Sequence, residues 1–266
     1  MQTKLCYNGV RTAKEVQGMS EPWYEQSFQE DYLLVYKHRN LQNAQVEVRA
    51  MSDWLKLPAG ASVMDLCCGS GRHSFILQRL GYHVTGVDLS ETLLQAAKTG
   101  DPNQQIRWIR ADMRQVPLEE QFDAVFNMFT SFGYFDTDAE NQQVLHEMCR
   151  LLKIGGQFVI DFLNPNYIMN HLVPHSIRRE DQVTIEEHRH IENGFVVKRI
   201  DIHVPHESTR TYREQVKLYG FNEFKTMFKR AGLELRSAFG NYDGSPYDET
   251  RSPRLILVGA RKEELR

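Results

Sequence analysis

Cysteine is scarce in this chain: four residues stand at positions 6, 67, 68 and 149, with no CxxC spacing and no plausible disulfide framework. That argues against a disulfide-stapled secreted scaffold and suits a reducing compartment, the cytoplasm. Cys67 and Cys68 are adjacent, so in extended chain they point to opposite sides and make a poor metal pair. Long apolar runs are missing too. No stretch approaches the roughly 20 residues that span a bilayer, and MQTKLCYNGVRTAKEVQG at the start has no signal-peptide core, so no membrane partner is expected. A basic surplus is also absent. The 32 Lys and Arg against 35 Asp and Glu leave a formal charge of −3 with signs interspersed, so no nucleic acid is expected as a partner.

What the chain does have is 41% hydrophobic residues, enough to fill a real core. From about residue 60 to 162, short apolar runs alternate with helix-period segments, as in ASVMDL, RHSFILQRLG, HVTGVDL, ETLLQAAK and QFVIDFL. This pattern predicts βαβ units around a parallel sheet covered on both faces. Gly81 is expected to stop one helix and Gly155-Gly156 another. Between 163 and 220 the pattern changes: DQVTIEEHRH, FVVKRIDIHV and RTYREQVKLYG alternate polar and apolar residues, with the hairpin signal Asn193-Gly194 between the first two. An antiparallel insertion of about three strands is expected there. Residues 20–57 look helical, and FNEFKTMFKRAG, LELRSAFG and RLILVGARK predict a closing helix and two strands.

The most informative stretch is VMDLCCGSGRHSFILQRLGYHVTGVDLS, residues 63–90. A glycine-rich turn between a parallel strand and a helix lets a ligand approach the backbone closely, over the helix N-terminus. A dinucleotide fingerprint would use Gly69, Gly71 and Ser74, the last an imperfect match. Asp65, just before the glycines, sits badly with a pyrophosphate and suits a cationic ligand. Asp88 ends the second strand, where it is placed to accept hydrogen bonds from a ribose diol. Asp112 closes the third, and Met113 after it offers an apolar surface to a purine. Three acceptors thus line one sheet edge; the alternative is that each caps a helix or turn.

On VMDLCCGSG, GVDLS, RADM, FDAVFNMFTSFGYF and LLKIGGQFVIDF, in this order over residues 55–162, the chain resembles a class I S-adenosylmethionine-dependent methyltransferase. The small-molecule type is the better match. The resemblance implies an α/β, Rossmann-like sheet of seven strands, mostly parallel with the last antiparallel, helices on both faces and an inserted antiparallel β lid. It implies a helical lid segment at 1–57, a core at 58–163 and 221–266, and the inserted sheet at 164–220. S-adenosylmethionine is the implied cofactor, held by Asp65, Cys67, Gly69, Gly71, Asp88, Leu89, Asp112, Met113 and Asn127, with Tyr32 and Arg39 from the N-terminal segment. One position departs from the family pattern: Cys67 replaces its first glycine, and an ordinary backbone conformation is expected there because cysteine disfavours positive φ.

Methyl transfer is an in-line displacement at a sulfonium, which needs alignment rather than a covalent intermediate. Aromatic faces stabilise such a cation by roughly 0.5–2 kcal/mol per contact. Phe129, Phe132, Tyr134 and Phe135 follow the fourth strand, and Trp23, Tyr24, Tyr32 and Tyr36 populate the N-terminal segment. Tyr32, Tyr36 and Arg39 share one face if that segment stays helical, either as a lid with Arg39 on the cofactor carboxylate or as an ordinary packed helix. Tyr32, His73 and Tyr134 are the catalytic candidates, His73 as general base or merely as a packed residue. Arg72 beside it either meets an anionic group or lies on the surface. Tyr24, Phe132, Asn164 and Tyr242 are candidates for touching substrate, as are Asn166, Asp243 and Tyr247.

His171, His175, His188, His190, His203 and His206 crowd the insertion, but no HExxH or paired-cysteine motif accompanies them, so a solvated sheet face and no metal are expected. A small-molecule acceptor is the leading reading, methylated on O, N or C, with a homodimer left open. The rivals are methylation of RNA or protein, a non-catalytic cofactor-binding regulator, and a nicotinamide oxidoreductase.

Overall fold

A computed structural model describes residues 21–263; the expected lid residues 1–20 lie outside the described residues. Three helices come first, α1 (Trp23–Ser27), α2 (Glu30–Val35) and α3 (Leu41–Leu55). The alternating part follows as β1 (Ser62–Leu66), α4 (Arg72–Arg79), β2 (His83–Asp88), α5 (Glu91–Thr99), β3 (Arg107–Arg110), β4 (Phe122–Asn127), α6 (Asp138–Leu151) and β5 (Leu152–Leu163). After the short α7 (Pro165–His171) come β6 (His175–Glu180), β7 (Val183–Glu192), β8 (Phe195–His203) and β9 (Arg210–Lys217). The described chain closes with α8 (Phe221–Ala231), β10 (Leu233–Phe239) and β11 (Arg254–Arg261).

Seven strands form one sheet in the order β10-β11-β5-β4-β1-β2-β3, with β11 antiparallel to both its neighbours. The fold is the Rossmann-like arrangement expected. Along β1 successive side chains enter opposite layers, as a strand covered on both faces requires. Met64 and Leu66 join Val144, Leu145 and Met148 of α6 and Phe224 and Phe228 of α8. Val63 instead joins Val48 and Met51 of α3 and Ile76 and Leu77 of α4. Helix starts are set by side chains: Ser90 Oγ accepts from Leu93 N at 3.1 Å, and Thr137 and Glu140 form a reciprocal capping box on α6.

Three expectations need correction. Gly155 and Gly156 do not end α6, which stops at Leu151; they lie inside β5, where a Cβ on Gly156 would come within 2.9 Å of the Lys153 carbonyl oxygen. The inserted sheet has four strands, β6-β7-β8-β9, rather than three. The missed strand, HSIRRE, is a charged edge strand with little apolar alternation to reveal it. Asn193-Gly194 does turn β7 into β8, with φ of 50° and 79° as a tight hairpin requires. No helix of the described residues is long and apolar enough to cross a membrane.

Phe132 is the third correction. Rather than facing a substrate it is fully buried, packed against Phe162, Tyr219 and Phe224 with ring centroids 5.3–6.3 Å apart. Phe132→Ala is expected to destabilise the fold by about 3–5 kcal/mol, read as a lowered denaturant midpoint.

Candidate functional site

The turn between β1 and α4 is stitched to the neighbouring strand. Cys67 N and Cys68 N both donate to Val87 O, at 2.7 and 3.0 Å, and Gly69 N donates to Asp88 Oδ2 at 2.7 Å. Turning two successive amides onto one carbonyl forces Cys67 to φ 66°, so the expected ordinary backbone is not found. That conformation costs a non-glycine residue about 1–2 kcal/mol. Asp88 also accepts from Ser90 N at 2.9 Å, yet burial pushes its carboxyl up to about 6 despite those amide bonds. Gly69, at φ 56°, would set a Cβ in ordinary contact with Leu93, 3.9 Å from its Cδ1, so the left-handed backbone rather than crowding is what calls for glycine there. Gly71 plays a different part from the one expected: a Cβ there would lie 2.6 Å from Trp108 Cη2, so its bareness serves packing.

Two cavities open along this edge. The smaller, about 70 Å³, is lined by Asp88, Leu89, Leu93, Asp112, Met113, Tyr24 and Phe135. The larger, about 580 Å³, is bounded by Arg39, Arg72, His73 and Phe129 on one side and by Arg189, Val196, Lys198 and Glu214 of the inserted sheet on the other. Phe28, Tyr32, Cys67, Gly69, Ser131 and Tyr134 line both. Trp23 Nε1 donates to Tyr134 O at 3.2 Å, and Ser90 Oγ donates to Phe28 O at 2.5 Å, so the N-terminal helices are tied down over the junction.

Arg39 lies beyond the end of α2 rather than on it, because the helix stops at Val35. A turn still brings its guanidinium over Tyr36, 3.7 Å from the ring centroid, and 4.3 Å from that of Phe129. It donates to Tyr32 Oη at 3.5 Å and has no carboxylate partner among the described residues. Burial pushes the Tyr32 hydroxyl up to about 12, against the opposing charge of Arg39, and pushes Tyr134 well above its ordinary value. Both tyrosines are therefore neutral near pH 7. His73 is buried with its Nε2 2.6 Å from Glu47 Oε2, which also accepts from Arg72 Nη1 at 2.9 Å. Burial alone would raise the Glu47 carboxyl, but its hydrogen bonds with His73 and Arg72 and the Arg72 charge hold it below the usual range.

Several predicted residues lie elsewhere. Asp65 does not line either cavity; its carboxylate accepts from Ser74 Oγ at 2.5 Å inside the protein, and burial pushes it up. Asn127 is fully buried between strands, its Nδ2 donating to Leu66 O at 3.2 Å. Asn164 donates to Glu249 O and Ser252 O and caps α7, where its Oδ1 takes Asn166 N; Tyr247 Oη donates to the same Oδ1. Tyr242 Oη donates to Asp161 Oδ2 at 2.8 Å, away from the cavities. Tyr24 lines the smaller cavity rather than the larger. For Asn127, Asn164 and Tyr242 the reason is shared: each meets a polar partner more than 60 residues away in the chain, which removes it from the opening.

Sequence reading missed Glu47, hidden on a mid-helix position of α3, and Asp161 inside an apolar strand. Asp161 accepts from Phe129 N at 3.0 Å and Arg254 Nε at 2.8 Å, and so shapes the loop after β4 where Phe129 and Thr130 both have positive φ. It also missed the Lys198–Glu214 ion pair, 2.6 Å, with Tyr36 Oη donating to Glu214 at 2.7 Å.

The family described as a methyltransferase domain matches residues 63–156, the segment that carries this edge from β1 to the start of β5. The chain's methyltransferase domain is of the class I S-adenosylmethionine-dependent type. A cypemycin N-terminal methyltransferase from Streptomyces sp is 26% identical over 208 residues, 76% of this chain and 84% of that protein. A dTDP-3-amino-3,4,6-trideoxy-alpha-D-glucopyranose N,N-dimethyltransferase from Streptomyces venezuelae is also 26% identical, over 83% of this chain and 96% of that one. The solved structure of the CcbJ methyltransferase from Streptomyces caelestis shares the fold with a TM-score of 0.76 at 19% identity, covering 92% of this chain and all of the other.

The residues present in this methyltransferase fit its cofactor. An acceptor at Asp88 beside the glycine turn, the smaller cavity between Leu89 and Met113, and a cation at Arg39 without a carboxylate partner among the described residues match a ligand with a ribose, a purine and a carboxylate. Gly71→Ala is expected to cost about 2–4 kcal/mol through positive φ and the clash with Trp108. Its thermal unfolding midpoint checks this, because without the clash only the smaller cost of positive φ, about 1–2 kcal/mol, would remain.

Proposed function

We propose that this methyltransferase moves a methyl group to the nitrogen of a small-molecule amine held in the 580 Å³ cavity. The observation that carries the reading is the aromatic junction, where Phe28, Tyr32 and Tyr134 border both the larger cavity and the smaller one beside Asp88. The nitrogen acceptor draws support from the two relatives above, which align over most of their own length and are named as an N-terminal methyltransferase and an N,N-dimethyltransferase.

S-adenosylmethionine, when bound, supplies an electrophilic methyl on a cationic sulfur. Asp88 would accept the ribose hydroxyls, and Leu89, Asp112 and Met113 would border the adenine. Arg39 would meet the carboxylate, adding a charge-assisted hydrogen bond. The faces of Tyr32 and Tyr134 favour a cation between them. Because both hydroxyls stay protonated, neither serves as the base that frees the acceptor lone pair. His73 fits that role: Glu47 engages Nε2 and leaves Nδ1 to take a proton, with Glu47 as the positioning residue.

The deciding experiment supplies S-adenosylmethionine with panels of small amines, hydroxylated metabolites, RNA and peptides, and follows the methyl group by mass spectrometry. Transfer to amine nitrogen is expected; transfer confined to hydroxyl or carbon acceptors, or to RNA, would overturn the reading. His73→Ala should lower kcat by on the order of 10²-fold, with S-adenosylhomocysteine affinity unchanged. An unaffected kcat removes His73 from the chemistry.

A pH dependence follows from Asp88. Its raised carboxyl takes up a proton in the free protein below about pH 6, and the protonated form is the poorer acceptor for a diol. Affinity for S-adenosylhomocysteine is therefore expected to be flat above pH 7 and to weaken towards a limit of about tenfold per pH unit below 6. Calorimetric titration between pH 5 and 8 reads this, and Asp88→Asn should flatten the profile.

A further inference from the structure

We propose a zinc-type metal site on the outer face of the inserted sheet, built from His175, Glu186 and His188 with His203 beside them. The three ligands come from two adjacent strands, β6 and β7, and His203 from a third, β8, which is why no sequence spacing reveals them. His175 on β6 and His188 on β7 are register partners, and their rings stack with centroids 4.6 Å apart and planes 19° from parallel. Glu186 lies two residues before His188, hence on the same face. Its Oε1 is 2.8 Å from His175 Nε2 and 3.2 Å from His188 Nε2. One ligand atom from each of these three residues lies within 4.8 Å of the other two.

These spacings suit a tetrahedral ion. Bonds of about 2.0–2.1 Å put neighbouring ligand atoms about 3.3 Å apart, so only small side-chain rotations are needed. Two imidazoles and a carboxylate form a borderline donor set that favours zinc and its neighbours over magnesium or calcium. His203 of β8 sits on the same face, its Nε2 3.6 Å from Glu186 Oε2. Its Nδ1 lies 3.0 Å from Thr209 Oγ1; donation there leaves the Nε2 lone pair free, the outer hydrogen bond typical of metal-bound histidine. His190 is on the same face but turns to Glu192, 3.4 Å away, and stays outside the cluster.

The face is opposite the one that lines the larger cavity, where Arg189, Lys198 and Glu214 project. An ion here therefore acts on the sheet rather than on the reacting groups. It would clamp edge strand β6 to β7 and β8, and β6 carries Arg178, which donates to Val35 O at the end of α2.

The test uses protein prepared without an affinity tag, stripped with chelator and titrated calorimetrically with zinc chloride. One zinc per chain is expected, with a raised thermal midpoint on loading and a tetrahedral visible spectrum when cobalt is substituted. His175→Ala with His188→Ala together should weaken binding by at least 100-fold and abolish the thermal shift, whereas His190→Ala should leave both intact. Equal midpoints of all variants in chelator confirm that they remain folded. Absence of stoichiometric zinc, or zinc binding that survives the double substitution, overturns the site.

Discussion

The binding edge depends on two amides sharing one carbonyl. Val87 O accepts from both Cys67 and Cys68, and the next residue along each strand repeats the link, Asp88 holding Gly69 N. These bonds fold the β1 turn against the end of β2, so that the carboxylate of one strand and the glycine of the other face the same space. The strained cysteine is a consequence, with its amide satisfied by Val87 O and its half-buried sulfur 3.4 Å from Met113 Sδ. Trp108 locks the arrangement from behind, filling the room left by Gly71 and Gly86, where a Cβ would come within 2.6 Å of its ring.

Closure over that edge is shared among three parts of the chain. The N-terminal helices reach the inserted sheet through Asp31, which accepts from Arg210 Nε and Tyr212 Oη, each at 2.7 Å, and through Ser27 Oγ on Arg213 O. They reach the core through Ser90 and Tyr134. Burial opposes ionisation of Asp31, but these hydrogen bonds hold its carboxyl below the ordinary range, so the ties persist at neutral pH. The junction between the cavities thus has walls from elements more than a hundred residues apart, and its aromatic character comes from the first helices and the loop after β4 together.

Motif residues were legible where backbone geometry demands a residue type. Gly69, Asp88, Asp112 and Met113 lie at the edge as their positions after consecutive strands predicted. Legibility failed where a polar side chain had two destinations. Asn164 and Tyr242 follow strands that end at the site, as substrate contacts would, yet buried partners more than 80 residues away claim them. Glu47 carried no signal, because one acidic residue on an amphipathic helix looks the same whether it meets water or a buried histidine. The strand β6 was hidden for a related reason: an edge strand with one exposed face needs little apolar periodicity.

The sequence by itself determined the alternating α/β core, the antiparallel insertion and the glycine turn, since these follow from local periodicity and backbone constraint. Only the tertiary structure decided which aromatics meet at the junction, that Cys67 takes positive φ, that Asp65 turns inward to Ser74, and that the pairing of two strands brings His175, Glu186 and His188 together. Each depends on which elements pack or pair with one another. That is set by the assembled core and the strand register, and no local pattern encodes it.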